Sequence, residues 1–149
     1  MIALDRQVLL QTLDAAVNET MEAMFFDAAA PVREGECCAG ADMVTVCLWF
    51  HDAVDGEFML AAPLPTAMAL ASGFMGVDNE QVQRRDAEQI ACELANIICG
   101  SALSRLEPSS ELRLSSPMAT PRACATGDDV IYQHYQLLDG CLSVSLRID

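Results

Sequence analysis

The chain is poor in basic residues. Eight Lys+Arg stand against 22 Asp+Glu, for a formal charge of −14 over 149 residues. Such a surface repels a phosphate backbone and the anionic face of a membrane, so neither nucleic acid nor membrane is an expected partner. Apolar runs are short as well. None reaches the roughly 20 residues that span a bilayer, and the opening MIALDRQVLL lacks the basic region of a signal peptide, so a cytoplasmic protein is expected. The usual marks of catalysis are missing too: no serine–histidine–aspartate order in a recognisable context, no phosphate-binding glycine loop and no metal motif. Zinc is further disfavoured because the seven cysteines show no C-x-x-C spacing and no nearby histidine pair.

What is present suits one compact unit. With 52% hydrophobic residues, 149 positions are enough for one core and too few for two, so residues 1–149 read as a single domain. The odd cysteine count and the expected cytosolic setting favour seven free thiols. The neighbours Cys37 and Cys38 invite a redox or soft-metal reading, which is weak because adjacent residues of a strand point to opposite faces.

Taken in order, the chain opens with helical spacing from about Asp5 to Asp27, with Leu9, Leu13, Ala16, Val17, Thr20, Met24 and Phe25 on one face. Pro31 breaks that pattern, and Val32–Ala39 is a short candidate strand. Met43–Phe50 alternates, with Val44, Val46, Leu48 and Phe50 on one side and Thr45, Cys47 and Trp49 on the other. Both sides are largely apolar, which places this strand inside a sheet. Asp55-Gly56 reads as the tight turn to a return strand through Phe58, Leu60 and Ala62, and His51 lies beside that turn. Pro65 fits the first turn of a helix from about Thr66 to Met75, which Gly76 ends. Asp78 or Asn79 then caps a long helix from about Asn79 to Leu106. Leu112 to about Thr120 is a further strand. The last hairpin turns at Asp139-Gly140, which pairs Leu137 with Leu142, Tyr135 with Val144 and Gln133 with Leu146, and leaves His134 on an exposed polar face.

The long helix carries the one unusual stretch, Ile90–Gly100, IACELANIICG, whose only polar side chains are Glu93 and Asn96. At about 100° per residue, Gln89, Glu93, Asn96 and Gly100 fall within an arc of roughly 60°. Ile90, Ala91, Cys92, Leu94, Ala95, Ile97, Ile98 and Cys99 fill the rest of the circumference. The helix is therefore expected to be packed on most sides and open along a single seam that holds a carboxylate and a carboxamide. A glycine inside a helix costs about 1 kcal/mol relative to alanine, so Gly100 implies the close approach of another surface. A solvated helix face would carry Lys and several Glu, which this seam does not.

Glu93-Leu94-Ala95-Asn96 followed by Gly100, Pro117 downstream and the preceding ALASGFMG resemble the CheC and CheX family of chemotaxis phosphatases, CheX more closely. The early helix around Asn18-Glu19-Thr20-Met21 and the Met43–Ala62 hairpin are similar as well. The resemblance implies an α+β fold, long helices on an antiparallel sheet, and a homodimer joined through sheet edges. It implies dephosphorylation of the phospho-aspartate of a CheY-like response regulator, with Glu93 and Asn96 as catalytic residues and Gln89 and Gly100 in partner binding. The chain itself is expected to bind no cofactor and no metal, and Mg2+ would be held by the partner. Gln89 stands where many members carry Asp or Ser, a difference that bears on docking geometry and rate. Only one such Glu and Asn pair is present, as in CheX; CheC-type members have two. Two other readings remain: a noncatalytic response-regulator adaptor or flagellar-switch-like component, and a thiol sensor built on Cys37 and Cys38.

Overall fold

A computed structural model describes residues 5–32, 42–52, 55–106 and 112–149. Helix α1 (Arg6–Phe25) starts where the Asp5 carboxylate accepts the Gln7 N–H at 2.8 Å, and it ends in a left-handed Phe26. Strand β1 (Ala30–Val32) follows, then the hairpin β2 (Met43–Asp52) and β3 (Gly56–Pro63). Helix α2 (Leu64–Met75) has proline in its first turn and stops at Gly76, whose φ of 69° is cheap only for glycine. Helix α3 (Arg84–Leu106) is followed by β4 (Leu112–Leu114), β5 (Met118–Ala119), β6 (Val130–Leu137) and β7 (Gly140–Ile148).

The fold is α+β. The strands form one antiparallel sheet in the order β1-β6-β7-β3-β2-β4, and β5 also pairs with β2. The helices cover one face. Leu13, Val17 and Met21 of α1 and Leu94, Ile98 and Leu103 of α3 meet Val44, Val46, Leu48 and Phe50 of β2, Phe58 and Leu60 of β3, and Tyr135, Leu142 and Val144 of the last hairpin. The alternation expected for β2 is therefore the observed one, and β2 lies inside the sheet. Polar contacts reach α1 from the sheet at Asp14, whose Oδ1 accepts the Tyr135 hydroxyl at 2.6 Å and Gln133 Nε2 at 3.4 Å. Burial, and then the Asp14 contact, pushes the phenol pKa upward.

The opposite face of the sheet is not left to solvent. Residues of the 120–129 connection reach it: Arg122 Nη2 meets the buried Glu57 carboxylate at 2.7 Å, with Arg147 Nη1 at 3.4 Å on the other oxygen. Arg122 also lies over the Trp49 ring, 6.0 Å from its centroid. Ser143 and Ser145 are buried on this face. His134 is half-buried, with Nδ1 2.7 Å from Ser143 Oγ, in place of the expected exposed position.

Tertiary contacts correct several local expectations. Pro31 lies within a strand, because β1 is an edge and the missing N–H is not needed there; residues 33–39 of the expected strand, with Cys37 and Cys38, are outside the described residues. Gly56 is the first residue of β3, without positive φ. Its glycine is required because a Cβ would collide with the Arg147 carbonyl and the Phe50 ring. The long helix starts at Arg84, not at about Asn79. Asp78 and Gln81 close a 3₁₀ turn over Asn79–Gln81, and the Asp86 carboxylate accepts the Gln83 N–H at 2.9 Å to begin the helix proper. The strand expected from Leu112 to Thr120 is divided into β4 and β5, where Ser115 Oγ takes the Trp49 N–H at 2.8 Å in place of a backbone carbonyl and Pro117 follows.

The last hairpin is shifted by two residues from the expected register: Leu137 pairs with Gly140, Tyr135 with Leu142 and Gln133 with Val144. A two-residue shift preserves the faces, so the pattern of apolar residues could not decide it. Contacts from other elements do. Asp27 accepts the Leu138 N–H at 3.2 Å, and Gly140, with φ 135°, leaves no room for a Cβ beside Thr66. Cys47, Cys92, Cys99 and Cys124 are free thiols, but Cys141 is disulfide-bonded, against the expectation of seven free thiols. An odd count rules out a full set of pairs and says nothing against one.

Candidate functional site

Helix α3 is held by its buried face. Ala87, Ile90, Ala91, Leu94, Ala95, Ile98, Cys99, Ala102 and Leu103 are all buried. Its N-terminal turn is tied to the start of β2 by Arg84, which meets Asp42 at 2.9 Å and Glu88 at 3.7 Å. Its last turn is tied to α1 by an Arg105–Glu19 ion pair. A helix fixed at both ends and along one side presents the rest of its surface in a set orientation. On that surface Gln89, Glu93 and Asn96 are exposed and Gly100 is half-buried, so the four lie along one open seam as their spacing predicts. Neither Glu93 nor Asn96 has a hydrogen-bonding or ionic partner among the described residues.

The packed side is narrower than its composition suggests. Ile97 is 39% exposed and sets apolar surface beside Asn96, and Cys92 is half-buried. Burial first, then the neighbouring carboxylates and Cys47, raises the Cys92 pKa, so the thiol next to the seam stays protonated and neutral. Gly100 has no steric obligation among the described residues. A Cβ there would meet only Leu114 Cδ1, at 3.7 Å, an ordinary contact.

Two grooves flank the seam. One, of about 300 Å³, lies between α3 and the β4–β5 connection, and it brings Ser115, Ser116 and Pro117 alongside Gln89, Glu93 and Asn96. Pro117, 21 positions beyond Asn96 in sequence, thus belongs to the same site. The other, of about 270 Å³, lies between α3 and the end of α2, where Phe74 and Met75 face Asp86, Gln89 and Glu93. Sequence reasoning did not place these groove walls in the site. The available signal was an α2 without a single charged side chain that nonetheless ends in large apolar residues. Chemically, the seam offers a charged acceptor and, about one turn away, a neutral donor–acceptor, with apolar flanks to exclude water from a seated partner. No group of three His, Cys, Asp or Glu side chains is arranged to hold a metal among the described residues. No helix among them is long and apolar enough to cross a membrane.

The architecture is that of the CheC- and CheX-like proteins. The chemotaxis protein CheX from Vibrio vulnificus superposes with a TM-score of 0.76 at 13% identity, over 99% of this chain and 100% of that one. CheX in the CheX–CheY–BeF3–Mg2+ complex from Borrelia burgdorferi gives 0.72 at 16% identity, over 94% and 97%. FliY from Thermotoga maritima gives 0.59 at 14% identity, over 98% and 92%. No curated protein matches the chain in sequence. Residues 44–133, more than half of the chain, match the family model described as chemotaxis phosphatase CheX, and the chain belongs to that family.

Proposed function

We propose that this chain dephosphorylates the phospho-aspartate of a CheY-like response regulator, with Glu93 and Asn96 as its catalytic residues. The observation that carries the reading is the seam itself: an acid and an amide, both exposed and both without partners among the described residues, on the most firmly packed helix of the fold. Membership of the CheX family and the likeness to a CheX captured with beryllofluoride-activated CheY support it.

In this reading Asn96 orients water. A carboxamide is no base at neutral pH, but its donor and acceptor on one planar group can hold a water in line with phosphorus. The glutamine that positions water in GTPases works in the same way. Glu93 pairs with a lysine of the regulator, a contact that strengthens when the docked surfaces exclude water. Gln89 and Gly100 are partner contacts at the two ends of the seam. Magnesium belongs to the regulator, and the protein acts in the cytoplasm.

The test follows the decay of a phosphorylated CheY-like regulator. Asn96→Ala should lower turnover on the order of 10²-fold, with binding to the beryllofluoride form largely kept. Glu93→Ala should weaken binding as well. A wild type that binds its cognate regulator tightly yet leaves its phosphoryl lifetime unchanged would support the second reading, an adaptor or switch-like component.

A further inference from the structure

The groove between α2 and α3 is a built feature. Gly76 ends α2 with its N–H on the Ser72 carbonyl at 2.9 Å, and Ser72 Oγ donates to the Val77 carbonyl at 2.5 Å, so the last turn is locked. Phe74 and Met75, 55% and 47% exposed, are thereby held at the rim although the core makes no use of them. Ala71 and Ile90, both buried, form the floor. The far wall carries Asp86, Gln89 and Glu93 at helical spacing along α3.

The charges facing this groove are of one sign. One Asp86 oxygen accepts the Gln83 N–H, and neither Asp86 nor Glu93 has an ion-pair partner among the described residues. Of the two arginines just before Asp86, Arg84 is directed to Asp42 and Glu88, and Arg85 is exposed and does not line the groove. An apolar wall opposite uncompensated carboxylates suits a side chain with a long aliphatic stem and a cationic head, whose stem covers the wall while the head meets the acid. An aromatic face at the rim adds a cation–π contact. The volume, about 270 Å³ and open on one side, is that of a slot for a single side chain, below the roughly 300 Å³ at which enclosed small-molecule pockets begin.

We propose that this groove receives a lysine or arginine side chain from the docking face of the response regulator, a contact separate from the lysine that Glu93 addresses. The inference rests on the response-regulator reading. The groove shares Gln89 and Glu93 with the seam, so a protein seated over Asn96 covers both. Asp86 lies seven residues from Glu93 along α3, about 10 Å at 1.5 Å per residue. At that distance the basic side chain belongs to the regulator's rim. The groove therefore governs which regulators bind and how tightly, and leaves the rate of the bound complex to Glu93 and Asn96.

The experiment measures Kd for the beryllofluoride-activated cognate regulator over a series of salt concentrations, and turnover at saturation, for wild type, Phe74→Ala, Asp86→Asn and Asp86→Arg. Asparagine retains an acceptor for the Gln83 N–H, so Asp86→Asn keeps the helix start, and circular dichroism checks each fold. Phe74→Ala and Asp86→Asn should each raise Kd by about tenfold, with saturated turnover unchanged. Asp86→Asn should flatten the salt dependence, and among Lys→Glu or Arg→Glu variants of the regulator surface one should restore binding to Asp86→Arg. Wild-type Kd in both Phe74→Ala and Asp86→Asn overturns the proposal while leaving the regulator reading intact. So does a weakened Phe74→Ala beside an unaffected Asp86→Asn, because the occupant is then apolar. A wild type that does not bind the regulator overturns both.

Discussion

Gly100→Ala separates what the fold needs from what a partner needs. Gly100 lies well inside α3, where glycine costs about 1 kcal/mol relative to alanine in backbone entropy. Among the described residues the added Cβ would meet nothing closer than Leu114 Cδ1 at 3.7 Å, so no steric cost there offsets the gain. The variant should be more stable than wild type by roughly 0.5–1 kcal/mol, a rise in Tm of about 1–4 °C for a chain of this size. Urea unfolding followed by circular dichroism measures the change directly. If Gly100 marks a close approach by the regulator, the same methyl group overpacks the complex. Overpacking costs about 1–3 kcal/mol, which raises Kd for the activated regulator by roughly 5- to 150-fold. The two effects have opposite signs, which makes the result easy to read. A destabilised Gly100→Ala would show that the chain's own packing requires the glycine. A stabilised variant that binds the regulator as wild type does would remove Gly100 from the partner-binding set.

Arg122→Ala and Arg147→Ala should each cost about 1 kcal/mol of stability, and the double variant at least 1 kcal/mol beyond their sum, because only the double leaves the buried Glu57 carboxylate unpaired; additive costs in a double-mutant cycle would refute the clamp. Burial pushes the Cys99 thiol up to about 12, and Cys124 likewise, so at pH 8 on the order of one molecule in 10⁴ carries the thiolate at either position. Mass spectrometry after native alkylation should find both unmodified, with fast labelling only after denaturation and labelling of Cys141 only after reduction; rapid native labelling of Cys99 would contradict its burial. The chain is expected to form a homodimer through its sheet edges, where β1 and β4 each pair on one side only among the described residues; light scattering at tens of micromolar should give twice the chain mass, and a monomer would refute it.

The sequence by itself determined whatever depends on local periodicity. The 3.6-residue repeat that buries Leu94, Ile98 and Leu103 leaves Gln89, Glu93 and Asn96 outside, so the seam was readable once the helix was, and the two-residue alternation of β2 assigned its core face. Helix ends with a covalent reason, such as proline in the first turn of α2 and Gly76 after it, were equally legible. Tertiary structure alone decided what depends on a neighbour distant in sequence. The register of the last hairpin was set by Asp27 and Thr66, since a shift of two residues leaves every side chain on the same face. The glycine at Gly56 answers to the Arg147 carbonyl and the Phe50 ring. The walls of the site were decided in the same way: Pro117 and Ser116 arrive beside Asn96 only because β4 and β5 both pair with β2, and Phe74 and Met75 face Glu93 only because α2 packs against α3. A repeat along one chain segment specifies which way a side chain points, and what stands opposite it depends on packing between segments that the repeat does not encode.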